Sequence, residues 1–255
     1  MKRKRKLHRI LTAVFDKRHY VSLLNILRLC GDRAGFLKRY LIGGGGAYPY
    51  RPPVGTPCGI VHPYCKLRDD VMTVNEIFFR HDYGVPEKFR TVVDMGGNIG
   101  LSVLFFLTRN PESFVVVFEP NPANHDGLRE NLKGYESRYR LDDAAVWTSN
   151  GTVRFGIEPT GRYGRIEGER DEYITVRTVA IGEALRAILD ERGEIDVLKI
   201  DTEGSEEELV AAIPEELLPR IKLILCETRP SGRIWPKYYA QEQYGAVCRL
   251  ERLPV

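Results

Sequence analysis

Six carboxylates in this chain stand where they could work together. Asp94, Glu119, Asp201 and Glu227 each close a short run rich in β-branched and aliphatic residues, and Asp142 with Asp143 close the run Arg138–Leu141. Such runs read as buried strands of a parallel sheet. The carboxyl ends of parallel strands share one edge of an open sheet, where ligands bind. An acid after the second strand can accept two hydrogen bonds from a ribose diol, and Glu119 lies 25 positions after Asp94, a fitting interval. Asp142 and Asp143 could take the exocyclic amine of an adenine. Asp201, Glu203 and Glu227 are candidate general bases for deprotonating an alcohol. Lys199 joins the catalytic candidates as the cation able to pair with one of these acids, and His125 could reach the pocket edge. Asp201 and Glu203, two positions apart, could instead hold a divalent Mg²⁺ or Mn²⁺ that acidifies the hydroxyl, although a protein base is the preferred reading.

The turn that must position these groups is Asp94-Met-Gly-Gly-Asn-Ile-Gly100. Glycines there let a ligand approach the backbone closely, and the apolar run from Leu101 to Leu107 opens the following helix. A dinucleotide site wants G-x-G-x-x-G, with pyrophosphate over the helix N-terminus. Here the pattern is G-G-x-x-G, with an acid two residues ahead. That acid would repel a pyrophosphate and suits a cationic ligand such as the sulfonium of S-adenosylmethionine. The candidate cofactor site thus comprises Asp94, Gly96, Gly97, Asn98 and Gly100 after strand one and Glu119, Pro120 and Asn121 after strand two. Asp142, Asp143 and Ala144 after strand three and Asp201 after strand four complete it.

The elements follow in alternation. Strands are expected at Thr91–Asp94, Ser113–Phe118, Arg138–Leu141, Ile195–Ile200 and Ile221–Cys226, and helices after Gly100, at 122–132, 181–190 and 205–213. Asn150-Gly151 predicts a hairpin joining 144–147 to 152–155, followed by a strand over 173–178. The tail should add an antiparallel edge strand near 246–250. The result is an α/β fold with a mostly parallel, doubly wound sheet. Before it, residues 1–45 read as a basic amphipathic helical extension, and 46–89 as an irregular cap or acceptor-side region. Within that cap, short strands are expected at 60–61 and 66–67, and Thr73 is placed to cap a helix over 74–80. Residues 90–255 form the cofactor-binding domain.

Charge is divided unevenly. Of 38 Lys/Arg and 35 Asp/Glu, 12 and two fall in residues 1–40, which leaves 26 against 33 beyond them, a net of −7. A negative main domain argues against a nucleic-acid partner. The cluster from Lys2 to Lys6, beside Leu7, Ile10, Leu11, Val14 and Phe15, could bring residues 1–30 to an anionic membrane surface. Five scattered cysteines form no C-x-x-C pair, which fits free thiols in a reducing cytoplasm.

Taken together, Val93-Asp-Met-Gly-Gly-Asn-Ile-Gly100, Phe118-Glu-Pro-Asn-Pro122 and Leu198-Lys-Ile-Asp-Thr-Glu-Gly-Ser-Glu206 resemble the FkbM-type S-adenosylmethionine-dependent methyltransferases. The likeness covers about residues 75–230, and its third motif is the most specific. It implies a Rossmann-like methyltransferase fold, with Asp94, Gly96 and Gly100 at the methionine moiety and Glu119 at the ribose. It places Asp201 and Glu203 beside the transferred methyl. Thr202 and Ser205 stand where the family commonly has Val and Ala. The resemblance implies methylation of a hydroxyl on a sugar, glycan, glycolipid or natural product. Rival readings are a methyltransferase for nucleic acids or other small molecules, a nicotinamide oxidoreductase, and a non-catalytic cofactor-binding module. The first rival lacks the N/D-P-P-Y/F motif after strand four, and the second lacks G-x-G-x-x-G.

Overall fold

A computed structural model describes residues 17–44, 46–158, 165–166 and 172–254. The Lys2 to Lys6 cluster and the apolar positions from Leu7 to Phe15 lie outside the described residues. The chain divides into two compact units, one running up to Asp82 and one starting at Tyr83.

In the first unit, α1 (Lys17–Leu29) buries Ser22 and Ile26, and Ser22 Oγ donates to Asn75 Oδ1 at 2.6 Å. A second helix, α2 (Arg33–Leu37), is capped by Asp32 and runs on into a π-helical turn, Lys38–Ile42. Strands β1 (Val54–Thr56) and β2 (Gly59–Val61) pair antiparallel. Residues 66–67 form no strand; the chain is instead pinned by a backbone bridge between Tyr50 and Cys65. Helix α3 (Arg68–Val74) starts earlier than expected and continues through a π-helical turn, Asn75–Phe79. Asp70, not Thr73, holds its start by accepting from the Leu67 amide at 3.0 Å; Thr73 sits inside the helix and donates back to the Asp69 carbonyl. Phe36 and Phe79 meet edge to face at 5.0 Å in this unit's core.

The second unit is built on a seven-stranded sheet. Its strands are β3 (Thr91–Met95), β4 (Phe114–Phe118), β5 (Tyr139–Asp142), β10 (Ile195–Ile200), β11 (Ile221–Cys226), β12 (Tyr239–Tyr244) and β13 (Val247–Arg252), in the order β12-β13-β11-β10-β3-β4-β5. From β11 through to β5 every pairing is parallel. The chain winds outward from β3 through β4 to β5, then returns to β10 on the other side. This reversal opens the crevice between β3 and β10. The tail supplies the expected antiparallel strand, β13, and a further one, β12, outside it.

Strand alternation splits the sheet into two faces. Val93, Met95, Val116, Phe118, Leu198 and Ile200 pack against Ile181, Leu185, Ile188 and Leu189 of α6 (Ile181–Arg192) and against Leu209 and Val210 of α7 (Glu206–Ala211). Each such Leu or Ile contributes about 1.5–3 kcal/mol by leaving water. The alternate positions Val92, Asp94, Val115, Val117, Val197 and Lys199 face the opposite way. On the β3–β10 ladder, Lys199 is the register partner of Asp94. Helix α4 (Leu101–Arg109) follows the glycine turn, and α5 (Pro122–Asn131) follows β4.

A second sheet, of order β6-β9-β7-β8, fills the excursion between β5 and α6: β6 (Ala145–Trp147), β7 (Gly151–Ile157), β8 (Arg165–Ile166) and β9 (Glu172–Ala180). The hairpin expected around Asn150-Gly151 is not formed. β9 inserts between β6 and β7, parallel to the first and antiparallel to the second. The Asn-Gly turn instead carries the chain over the end of β9, where Asn150 Oδ1 accepts from the Ala180 amide and Thr178 Oγ1 donates to the Ser149 carbonyl.

One carboxylate fixes how β10 enters the sheet. Asp196 Oδ2 accepts from the amides of Arg90 (2.7 Å) and Thr91 (2.9 Å), and Oδ1 accepts from Lys222 Nζ at 2.6 Å. Burial pushes its carboxyl up, but the bonds from Lys222, Thr91 and Arg90 outweigh this and hold it below the usual value. A pKa depressed on folding adds stability above the unfolded pKa and loses it as pH falls through the folded value. Asp196→Asn should therefore cost about 1–3 kcal/mol of unfolding free energy near neutrality. The gap to the parent should narrow below about pH 4. Urea melts in neutral and acid buffer measure both; a constant gap would mean that charge is not what Asp196 contributes.

Candidate active site

A cleft opens at the carboxyl edge of the sheet. Met95, Gly96 and Asn98 line it from the turn after β3, and Phe118, Glu119, Pro120, Asn121 and Asn124 from the end of β4 and the start of α5. Ala145 and Val146 of β6 and Phe155 of β7 form a wall on the second sheet. Asp201, Thr202, Glu203 and Ser205 come from the loop after β10.

The glycine turn is tied to β4: the amides of Gly96 and Gly97 both donate to the Phe118 carbonyl, at 3.0 and 3.1 Å. Gly96 has φ +95°, and a Cβ there would stand 1.9 Å from the carbonyl oxygen of Asp201. Only glycine permits that approach of the two loops. Gly97 does not line the cleft; it packs against Val117, whose methyl a Cβ would meet at 2.2 Å. Gly100, with φ +82°, starts α4 against Leu128 and also lies behind the lining.

Glu119 is buried but reaches the cleft. Its Oε2 accepts from the Asn98 amide at 2.7 Å, and its Oε1 from the Asn121 amide at 2.9 Å and Asn124 Nδ2 at 3.2 Å. Burial pushes its carboxyl above the usual carboxylate value, against the pull of these donors. His125 Nε2 lies 2.8 Å from the Glu119 carbonyl oxygen, so that ring supports the backbone of the Glu119 segment.

Beneath this layer Asp94 is wholly buried and does not line the cleft. Its Oδ1 accepts from Lys199 Nζ at 2.9 Å, and its Oδ2 from Ser102 Oγ at 2.5 Å. Its negative charge is thus met by protein, not turned toward a ligand. Lys199 also contacts Asp201 Oδ2 at 3.1 Å and the Gly96 carbonyl at 3.2 Å. It thus has two hydrogen-bond acceptors and, in Asp201, a further ion-pair partner. Burial by itself would lower the Lys199 pKa; the Asp201 and Asp94 carboxylates overcome that and hold it well above its ordinary value. Lys199 therefore stays charged and does not line the cleft. The pairing expected from the sequence is present, and it joins β3 to β10 below the crevice.

The loop after β10 folds around a residue that sequence reasoning left as an ordinary helix start. Glu206 is buried; its Oε1 accepts from the Thr202 amide, and both of its oxygens lie 2.9 Å from the Gly204 amide. This grip accompanies left-handed backbone at Glu203 (φ +58°) and Gly204 (φ +107°), and it turns Glu203 to the cleft. Ser205 Oγ donates to Thr202 Oγ1 at 2.8 Å, so the two hydroxyls that depart from the commoner apolar residues satisfy each other. Glu206 closes the third motif quoted from the sequence, but its place in an acidic triplet at a helix start is explained equally well by the macrodipole, so its grip on the loop was not foreseen.

Four further predicted positions are not drawn into the cleft. Asp142 and Asp143 both accept from Arg177 of β9, the latter at 3.1 Å, and Asp142 Oδ1 also caps the Ala144 amide. An arginine 35 positions away takes up the charge that was expected to meet an amine. Ala144 is buried behind the lining. Glu227 follows β11 and is exposed outside the cleft. Among the described residues no three His, Cys, Asp or Glu side chains are grouped to hold a metal.

The Lys199–Asp94 pair yields a double-mutant test. Lys199→Met should cost about 3–5 kcal/mol, because it strands a buried carboxylate. Adding Asp94→Asn should recover part of that loss. Chemical denaturation of the two single variants and the double variant gives the coupling; additive losses would mean that the contact carries no energy of its own.

Comparison with known proteins fits this geometry. A family model, the methyltransferase FkbM domain, matches residues 94–249. The 31-O-demethyl-FK506 methyltransferase FkbM of Streptomyces tacrolimicus is 28% identical over 166 residues, 53% of this chain and 64% of that protein. Methyltransferase sdnD of Sordaria araneosa is 27% identical over 192 residues, 62% and 74% of the two chains. Hexuronic acid methyltransferase AglP of Haloferax volcanii is 30% identical over 127 residues, 49% and 50%. This chain therefore spans only about half to three-quarters of the length of these relatives. The family match begins at Asp94 itself and runs into β13, taking in the β3 turn, the Glu119 segment, the second sheet and the β10 loop in one span. The chain belongs to the FkbM methyltransferase family, whose Rossmann-like fold implies S-adenosylmethionine as the methyl donor.

Proposed function

We propose that the protein transfers a methyl group from S-adenosylmethionine to a hydroxyl of a sugar or a hydroxylated natural product. The observation that carries this reading is the meeting of Glu119, Asp201 and Glu203 in one cleft behind a glycine turn. The names of two relatives support the acceptor class, one pointing to a hydroxyl of a demethylated FK506 and the other to a hexuronic acid.

The residues present fit such a donor. The close passage of Gly96 beneath Asp201 makes a floor that any side chain would fill. Glu119, held by three donors, offers carboxylate oxygens to a ribose diol. Phe118, Val146 and Phe155 supply apolar wall for a flat base. When bound, S-adenosylmethionine supplies an electrophilic methyl on a sulfonium. The protein's part is to hold an acceptor oxygen in line behind it and to remove that oxygen's proton. Glu203, turned inward by the Glu206 grip, is the base. Asp201, fixed through its Oδ2 to Lys199, orients the acceptor hydroxyl. Glu227 is a third acid outside the cleft, and a metal held by Asp201 and Glu203 is the alternative source of an activated hydroxyl.

Single-turnover methyl transfer to a panel of hexuronic acids, nucleotide sugars and macrolide alcohols tests the reading. Glu203→Gln should lower the rate by about 10²–10⁴-fold with little change in cofactor affinity. Glu119→Ala should instead weaken S-adenosylmethionine binding in calorimetry. A chelator should leave the parent rate unchanged. Rescue of a chelated enzyme by Mg²⁺ or Mn²⁺ would move the chemistry to a metal, and parental rates in both Glu203→Gln and Asp201→Asn would remove this loop from it.

A further inference from the structure

Helix α1 has two opposite faces, of which the outer is apolar. Its inner side is spent within the first unit: Ser22 bonds Asn75, Asn25 Nδ2 donates to the Phe79 carbonyl at 2.7 Å, and Ile26 is buried. Its outer side carries Tyr20, Leu23, Leu24 and Leu27, at 53%, 44%, 51% and 47% exposure. These positions follow the i, i+3, i+4, i+7 spacing of one helical stripe. A contiguous run of exposed leucines on a helix marks an interaction surface.

The charges around the stripe indicate its occupant. The helix contains no acid. Lys17 and Arg28 are exposed at its two ends, on the stripe's flank by helical position. Residues 1–40 together hold 12 Lys/Arg and two acids. A second copy would be a poor partner, because a two-fold contact of this helix with itself sets cations against cations. Among the described residues no helix is long and apolar enough to cross a membrane. An amphipathic helix with leucines on one side and cations beside them lies in the plane of a bilayer interface. We propose that the outer face of α1 docks on an anionic lipid membrane, Leu23, Leu24 and Leu27 entering the headgroup boundary while Lys17 and Arg28 meet lipid phosphates and carboxylates.

Flotation of the full chain with phosphatidylcholine vesicles containing about one-third phosphatidylserine tests this, with pure phosphatidylcholine vesicles as the neutral arm. The chain should float with the anionic vesicles, lose that binding at high salt, and remain unbound to the neutral ones. Leu23→Gln with Leu27→Gln should weaken binding on the order of tenfold while leaving the melting temperature unchanged, since both side chains are exposed. Lys17→Gln with Arg28→Gln is an independent variant and should also reduce flotation. Absence of flotation by the intact chain would overturn the proposal, as would unaltered binding by the leucine variant. Light scattering showing a dimer that the leucine substitutions dissociate, with no vesicle binding, would assign the face to a second copy and overturn it equally.

Discussion

A single buried ammonium holds the two halves of the catalytic unit together. Lys199 contacts Asp94 on the neighbouring strand, Asp201 at the end of its own strand, and the Gly96 carbonyl in the turn between them. Such a group is costly to bury unless each proton finds an acceptor. Here two hydrogen bonds and an ion pair meet it, and these three partners are the points from which the crevice is built. The geometry of the β3 turn and the β10 loop is therefore coupled: neither can move without loosening a charge that has no water to fall back on. Hydrophobic packing on the α6 and α7 face supplies bulk stability, whereas the polar pair on the other face sets the register.

A second polar layer lies above the first. Glu119 and Glu206 each use a carboxylate to gather backbone amides, the first from the Asn98 and Asn121 segments and the second from the 202–204 loop. Both loops are short and carry left-handed residues, Asn98 at φ +46° and Glu203 at φ +58°. Conformations of that kind persist only where surroundings over-determine them. Acids in this molecule thus have two duties, and Glu119 performs both. Some organise backbone from below, and others face the cleft.

That division explains what the sequence could and could not reveal. Apolar runs ending in an acid disclosed β3, β4, β10 and β11, because a strand buried on both faces must be continuously apolar, whereas the half-exposed β5 was marked chiefly by the acids that close it. The glycine turn and the 198–206 motif disclosed the crevice, because close backbone approach leaves few residue choices. Strand β12 stayed hidden because its edge position lets Tyr239-Ala-Gln-Glu-Gln-Tyr244 be mostly polar. The β6-β9-β7 order was hidden because Asn150-Gly151 has the same composition whether it closes a hairpin or carries the chain over the end of another strand. Asp94, Asp142 and Asp143 were read as ligand-facing since spacing reports where a carboxylate sits along the chain, not which cation reaches it first. Lys199 and Arg177 reach them from 105 and 34–35 positions away.

The same 105-residue separation governs the order in which the molecule can be made. Strands β3, β4 and β5 emerge from the ribosome with their helices well before Lys199 does. Until β10 arrives and slots beside β3, Asp94 must stay hydrated, and one side of the central strand remains an open edge. Non-local parallel pairing of this kind is slow, because loop closure precedes any reward. The crevice thus closes only after the β3-β4-β5 half has been made, and that half-built sheet is the species most exposed to wrong partners. Substitutions that weaken the arrival of β10 should show first as poor yield of soluble chain and only afterwards as a slower enzyme.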